Sequence, residues 1–133
     1  AAGVLTPGSH GTTFGGGPLV CAAGLAVLDA LESERLLDNA HTVGQHLQAA
    51  LANALAGTRG VTEIRGRGLM LGIELARPCG VLAMRAMEAG LLINVTRDRV
   101  IRMLPPLILS RDEADRIIAI LVPLIQEFLA ETP

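Results

Sequence analysis

Val61-Thr62-Glu63-Ile64-Arg65-Gly66-Arg67-Gly68-Leu69-Met70-Leu71-Gly72-Ile73-Glu74 decides the fold of this 133-residue chain. Its first seven residues set Val61, Glu63, Arg65 and Arg67 against Thr62 and Ile64. That period of two is a strand's, with weaker apolar contrast than usual. Gly66 and Gly68 permit a sharp bend or bulge, and residues 69–75 read as a second strand. Downstream, Pro78 closes that strand and a short helix is expected over 79–89, ended by Gly90. A third strand follows at 91–95, a turn at Thr96-Arg97-Asp98, and a fourth strand at 100–104 that Pro105-Pro106 stops. Ser110 and Glu113 stand at capping-box spacing before a helix over 111–130. The inner stripe of that helix is Ala114, Ile117, Ile118, Leu121, Leu124, Ile125 and Phe128. Pro123 lies inside the pattern and predicts a kink or break near 119–120.

Upstream, an amphipathic helix is expected over 34–56, with Ser33 as its cap and Gly57 as its stop. Its stripe runs through Leu36, Leu37, Ala40, Val43, Leu47, Ala50, Leu51 and Leu55. Before it, residues 18–31 form a helix that is apolar nearly all round, the pattern of a buried one. Residues 1–9 are irregular, with a turn at Pro7-Gly8. Two helices followed by mixed strands and helices with short connections define an α+β layer. Its sheet should be small and mostly antiparallel, with helices on one face.

Composition narrows the function. The chain is half apolar but has only two aromatic residues, so its core must be aliphatic. A net charge of −2 with interspersed signs argues against a nucleic-acid partner. No apolar run reaches the ~18–20 residues of a membrane span, the mark of a soluble chain. Ala1-Ala2-Gly3-Val4 is neither a signal-peptide start nor an initiator. Cys21 and Cys79 fit no metal spacing and read as reduced core thiols of a cytosolic protein. His41 and His46 are five apart, not the four of a helical metal pair. Met70, Met84, Met87 and Met103 read as core filler.

The candidate site is His10-Gly11-Thr12-Thr13-Phe14-Gly15-Gly16-Gly17-Pro18. A glycine-rich turn entering a helix gathers unpaired N–H groups at the positive end of a dipole. Thr12 and Thr13 add hydroxyls, and the whole makes a seat for a phosphate or carboxylate, with helix capping as the plainer role. Pro18 suits the first helical position. His10 is placed to orient the loop. Arg102, between apolar neighbours on a short strand, must point to a cleft or pair with a carboxylate, because burying it alone is expensive. Glu74 is a possible arginine partner without chemistry of its own. Arg65 and Arg67, without an aromatic partner for base stacking, read as structural or surface residues.

Three ordered segments carry a resemblance. His-Gly-Thr-Thr-Phe-Gly-Gly-Gly-Pro-Leu at 10–19, the 61–74 segment, and Val-Ile-Arg-Met-Leu-Pro-Pro-Leu at 100–107 resemble class III pyridoxal-phosphate aminotransferases, above all their acetylornithine branch. Gly17 stands where that family usually has Asn. The resemblance implies the small C-terminal α+β domain of a fold-type I aminotransferase over 32–133. Residues 1–31 would be the edge of the cofactor domain, with a phosphate-contacting loop and a buried helix. It implies transfer of an amino group from an acylated ornithine to 2-oxoglutarate in arginine biosynthesis, by a cytoplasmic homodimer. Ornithine, γ-aminobutyrate and other ω-amino acid aminotransferases share the motifs. It assigns Thr13 to the cofactor phosphate of the neighbouring subunit, and Thr12 and Arg102 to substrate. It assigns no catalytic residue here. All eleven basic residues are Arg, and a Schiff-base cofactor needs a lysine amine. The chain is therefore expected to be part of a longer enzyme whose lysine lies upstream, and to be inactive alone. The other expectation is a free-standing, non-catalytic α+β module that binds a small ligand or a partner, which the absence of lysine favours if the chain is complete.

Overall fold

A computed structural model describes residues 3, 6, 8, 9 and 11–131. The expected roles of His10 and Pro7 fall outside those residues. The chain divides into two compact units, Ala1–Arg35 and Leu36–Pro133. This division lies four residues beyond the expected 31/32 boundary, because the first helix is longer than its apolar pattern.

The first unit contains α1 (Pro18–Ser33). Ahead of it, the Ser9 N–H donates to the Thr6 carbonyl at 3.0 Å around Gly8 at φ +85°. α1 is apolar on most sides, yet no residue of it is buried. The burial its composition calls for needs a second layer, and among the described residues α1 is the unit's only regular element. Cys21 is accordingly exposed, not a core thiol. Ser33 does not cap the next helix either. It is the last residue of α1, and its hydroxyl donates back to the Asp29 carbonyl at 2.7 Å. Arg35, at φ +52°, ends the run.

The second unit holds α2 (Leu36–Ala54), β1 (Val61–Arg67), β2 (Met70–Leu75), α3 (Val81–Glu88), β3 (Asn94–Thr96), β4 (Val100–Met103) and α4 (Arg111–Ala130). The strands form one antiparallel sheet in the order β1-β2-β4-β3. β1 and β2 are joined by Gly68-Leu69, with positive φ at Gly68, where a II′-type hairpin wants glycine. The irregularity expected at Gly66 sits instead between Val61 and Glu63, and Gly66 pairs regularly with Leu71. β3 and β4 are joined through Arg97 and Asp98, both at positive φ.

One sheet face is covered and the other open. Leu71, Ile73, Leu75, Ile101 and Met103 point to the helices and are buried with Leu47, Leu51, Leu82, Leu121 and Ile125. Fully burying such a side chain contributes about 1.5–3 kcal/mol. Cys79 lies in this core as expected, and burial pushes its thiol pKa up. Of the four methionines only Met103 is core. Met70 stands on the open sheet face, and Met84 and Met87 lie opposite the buried Leu82–Ala86 side of α3. Leu37 likewise falls outside the inner stripe of α2.

The third strand starts later than its apolar run. Gly90 N–H donates to Met87 O at 3.0 Å and Leu91 N–H to Ala86 O at 2.8 Å. That Schellman closure of α3 consumes Leu91 and delays pairing until Asn94. α4 runs unbroken through Pro123, so of the two expected effects of that proline the break does not occur. The carbonyl that Pro123 leaves without its helical donor belongs to Ala119, which is exposed and so open to solvent. The capping box is complete: the Glu113 N–H donates to the Ser110 hydroxyl, and the Ser110 N–H donates to the Glu113 carboxylate at 2.9 Å.

Candidate functional site

The first candidate lies in the Ala1–Arg35 unit. Gly16 at φ +79° turns the chain into Gly17, the N-cap of α1 at φ −69°, ψ 148°. Gly17 has no side chain and no side-chain cap replaces it. Pro18 takes the first helical position, and the first intrahelical donor is the Cys21 N–H, to Gly17 O at 3.0 Å. The Leu19 and Val20 N–H groups precede it and have no acceptor in the helix. Thr12 and Thr13 are both exposed. The Thr12 hydroxyl accepts the Gly15 N–H at 3.2 Å, so it shapes the turn. A Cβ on Gly15 would come within 2.1 Å of the Thr12 methyl, which keeps that position glycine. The Thr13 hydroxyl makes no hydrogen bond among the described residues.

The second candidate lies in the Leu36–Pro133 unit, on the open sheet face. The registers align Arg65, Gly72, Arg102 and Asn94 in one row across β1, β2, β4 and β3. Arg65 is neutralised: its guanidinium donates to Glu74 at 2.8 Å and Glu63 at 2.5 Å. The Glu74 hydrogen bond, ahead of the charge of Glu63, raises its pKa. Glu74 thus does pair with an arginine. Gly72 leaves the centre of the row bare. Arg102 is exposed, and its side chain has no hydrogen bond or ion pair among the described residues. It lines a cleft of about 250 Å³ at the β3–β4 end of the sheet, whose other walls are mainly apolar and reach round to the helix side through Ile93, Met103 and Ile117. On the open face it also borders a second cleft of about 300 Å³ with Arg65, Gly72 and Thr96. The loop forming one wall is fixed by Asn39, whose amide donates to Leu107 O at 2.7 Å and Leu109 O at 3.0 Å.

Sequence reasoning picked out Arg102 but not Asn94, its direct partner across β3 and β4. The signal was a single polar residue in Leu91-Leu92-Ile93-Asn94-Val95. His46 links α2 to α4 through Asp115, with Nε2 and Oδ1 2.6 Å apart. Among the described residues no group of His, Cys, Asp or Glu could hold a metal, and no helix is long and apolar enough to cross a membrane.

Residues 1–125 carry a likeness to a known family. They match the profile described as Aminotransferase class-III, and the chain belongs to that family. Class III aminotransferases are pyridoxal-phosphate enzymes. Acetylornithine aminotransferase 1 of Bordetella pertussis is 76% identical over 131 residues, which cover 98% of this chain and 33% of that protein. The fold matches ornithine delta-aminotransferase of Plasmodium falciparum with a TM-score of 0.88 at 31% identity, over 98% of this chain and 35% of that one. It matches acetylornithine aminotransferase of Elizabethkingia anophelis with a TM-score of 0.84 at 32% identity, over 96% and 33%. The chain spans about a third of the length of the curated relatives it matches.

Proposed function

We propose that this chain is the C-terminal part of a pyridoxal-phosphate aminotransferase. The enzyme moves the terminal amino group of an acylated ornithine to 2-oxoglutarate, a step of arginine biosynthesis, and works as a cytoplasmic homodimer. Residues 1–31 form the edge of its cofactor domain and 32–133 its small domain. The observation that carries this reading is Arg102: a guanidinium with no hydrogen bond or ion pair among the described residues, beside an apolar cleft, in a family of enzymes for amino acids and keto acids. Arg matches a carboxylate with two parallel hydrogen bonds, and the apolar walls strengthen them by excluding water.

The donor set at the start of α1 fits a phosphate. Among the described residues the Thr13 hydroxyl and the Leu19 and Val20 N–H groups have no partner, and Gly17 puts no side chain in the way. These groups would hold the phosphate of the cofactor, at the site of the neighbouring subunit. When bound, pyridoxal phosphate supplies the electron sink that amino transfer needs. The lysine that anchors it is not among these 133 residues. Thr12 holds the turn through Gly15, and by position in the motif it also borders the substrate. The fold likeness to an ornithine aminotransferase supports a second reading, in which free ornithine is the donor.

The test is Arg102→Lys in the full-length enzyme. It keeps the charge and loses the planar fork. The loss should be about 2–4 kcal/mol of transition-state binding, roughly 30- to 1000-fold in kcat/KM, for carboxylate-bearing donor and acceptor. A simple amine donor should be spared in its half-reaction, and cofactor absorbance should not change. Equal losses for amines with and without a carboxylate would reject the carboxylate role.

A further inference from the structure

We propose that Asn94 is a second carboxylate-binding residue in the Arg102 cleft, its side-chain amide donating to the carboxylate that the guanidinium grips. The inference rests on the reading of Arg102 given above. Directly opposed residues of an antiparallel pair share a face, with Cβ atoms about 4.5–5.5 Å apart. Asn94 and Arg102 are such a pair. Their neighbours Val95 and Ile101 also pair, and Ile101 is fully buried with Val95 packed against the same core. Asn94 and Arg102 therefore both stand on the open face, and both line the 250 Å³ cleft.

The chemistry calls for a second donor. A bidentate guanidinium satisfies one lone pair on each carboxylate oxygen and leaves the others to find donors. In an apolar cleft, a charged acceptor left short of donors is costly. Among the cleft residues only Asn94 offers a further side-chain N–H, and its amide has no hydrogen bond among the described residues. An amide also brings no charge of its own, so it adds a donor without competing with Arg102 for the anion. The pair favours a ligand with a carboxylate at the sheet and an aliphatic body along the Leu92–Leu104 walls.

The experiment uses the full-length, cofactor-loaded enzyme and glutarate, an unreactive dicarboxylate, with affinity read by calorimetry. Asn94→Ala should weaken glutarate roughly tenfold, the loss of one charge-assisted hydrogen bond. Asn94→Asp should weaken it further, because a carboxylate there repels the ligand and pairs with Arg102 itself. Asn94 is exposed on an edge strand, so thermal midpoints should stay within about 2 °C for both variants. Asn94→Val, a strong strand former with no hydrogen-bond donor, repeats the deletion should Ala disturb β3. Wild-type affinity in Asn94→Ala, or undiminished affinity in Asn94→Asp, overturns the inference. If Arg102→Ala loses glutarate while both Asn94 variants keep it, the carboxylate reading stands and only the role of Asn94 falls. If Arg102→Ala keeps it, both fall.

Discussion

Ser110 and Glu113 bind each other's backbone, and the consequence can be measured. Ser110→Ala removes the hydroxyl that accepts the Glu113 N–H and donates to the Glu113 carboxylate, while the backbone N–H at 110 keeps its bond to Glu113; the loss should cost about 1 kcal/mol. The effect depends on pH. Hydrogen bonds from the Ser110 backbone, and next from its hydroxyl, lower the Glu113 pKa below the ordinary 4.5. A carboxyl whose folded pKa is depressed stabilises the fold above its unfolded value and loses that contribution as pH falls through its folded value. The gap between wild type and Ser110→Ala in urea midpoint should therefore be full at pH 7 and shrink below about pH 4.5. A gap that does not change with pH would show that the bond from the Ser110 hydroxyl to the Glu113 carboxylate contributes nothing. This pair was legible in the sequence because a capping box is local, fixed by a spacing of three. The turn bond from the Gly15 N–H to the Thr12 hydroxyl is equally local. Asn94 was not legible, because its meaning comes from a partner eight positions away across a hairpin whose register only folding sets.

Among elements, the glycines of two helices should respond in opposite directions. A Cβ on Gly44 in α2 would lie 2.2 Å from the Gly68 carbonyl oxygen, so helix and hairpin backbone are in direct contact there. Gly44→Ala gains up to about 1 kcal/mol of helix propensity, but overpacking against backbone costs more, typically 1–3 kcal/mol. The expected outcome is net destabilisation. Gly24 in α1 would meet nothing within 4 Å. Gly24→Ala should raise helicity and cost nothing. Circular dichroism and thermal melts of the two variants check the pair, and the same sign for both would defeat the argument. Periodicity and punctuation placed α2, β1, β2 and α4 closely, since a core stripe or a glycine stop is written in the residues. They missed where β3 begins, because the closure of α3 takes up Leu91 before any strand can pair. They also missed why Gly44 is glycine, since nothing in a helical pattern announces a neighbouring hairpin.

For the whole molecule, the two units should differ in stability. The Leu36–Pro133 unit has a contiguous core, and α1 has no buried residue and no side-chain cap. A helix of 16 residues without tertiary support is marginal in water. In the 133-residue chain, amides of α1 should exchange with solvent orders of magnitude faster than those of β2, β4 and the middle of α4. Equal protection would mean that α1 is covered, for instance by self-association through its exposed Leu19, Leu25 and Leu28. The α+β class was readable because strand and helix periods alternate in the chain, whereas the exposure of α1 was not, because an apolar pattern records what a helix can bury and not what lies beside it. The outer strands settle what such association could become. β3 is three residues long, and β1 carries Glu63, Arg65 and Arg67 with an irregularity at its start. Short, charged and bent edges refuse a foreign strand. Clumps of this chain would then form through sticky helices and stay disordered, and the sheet would not template cross-β fibrils.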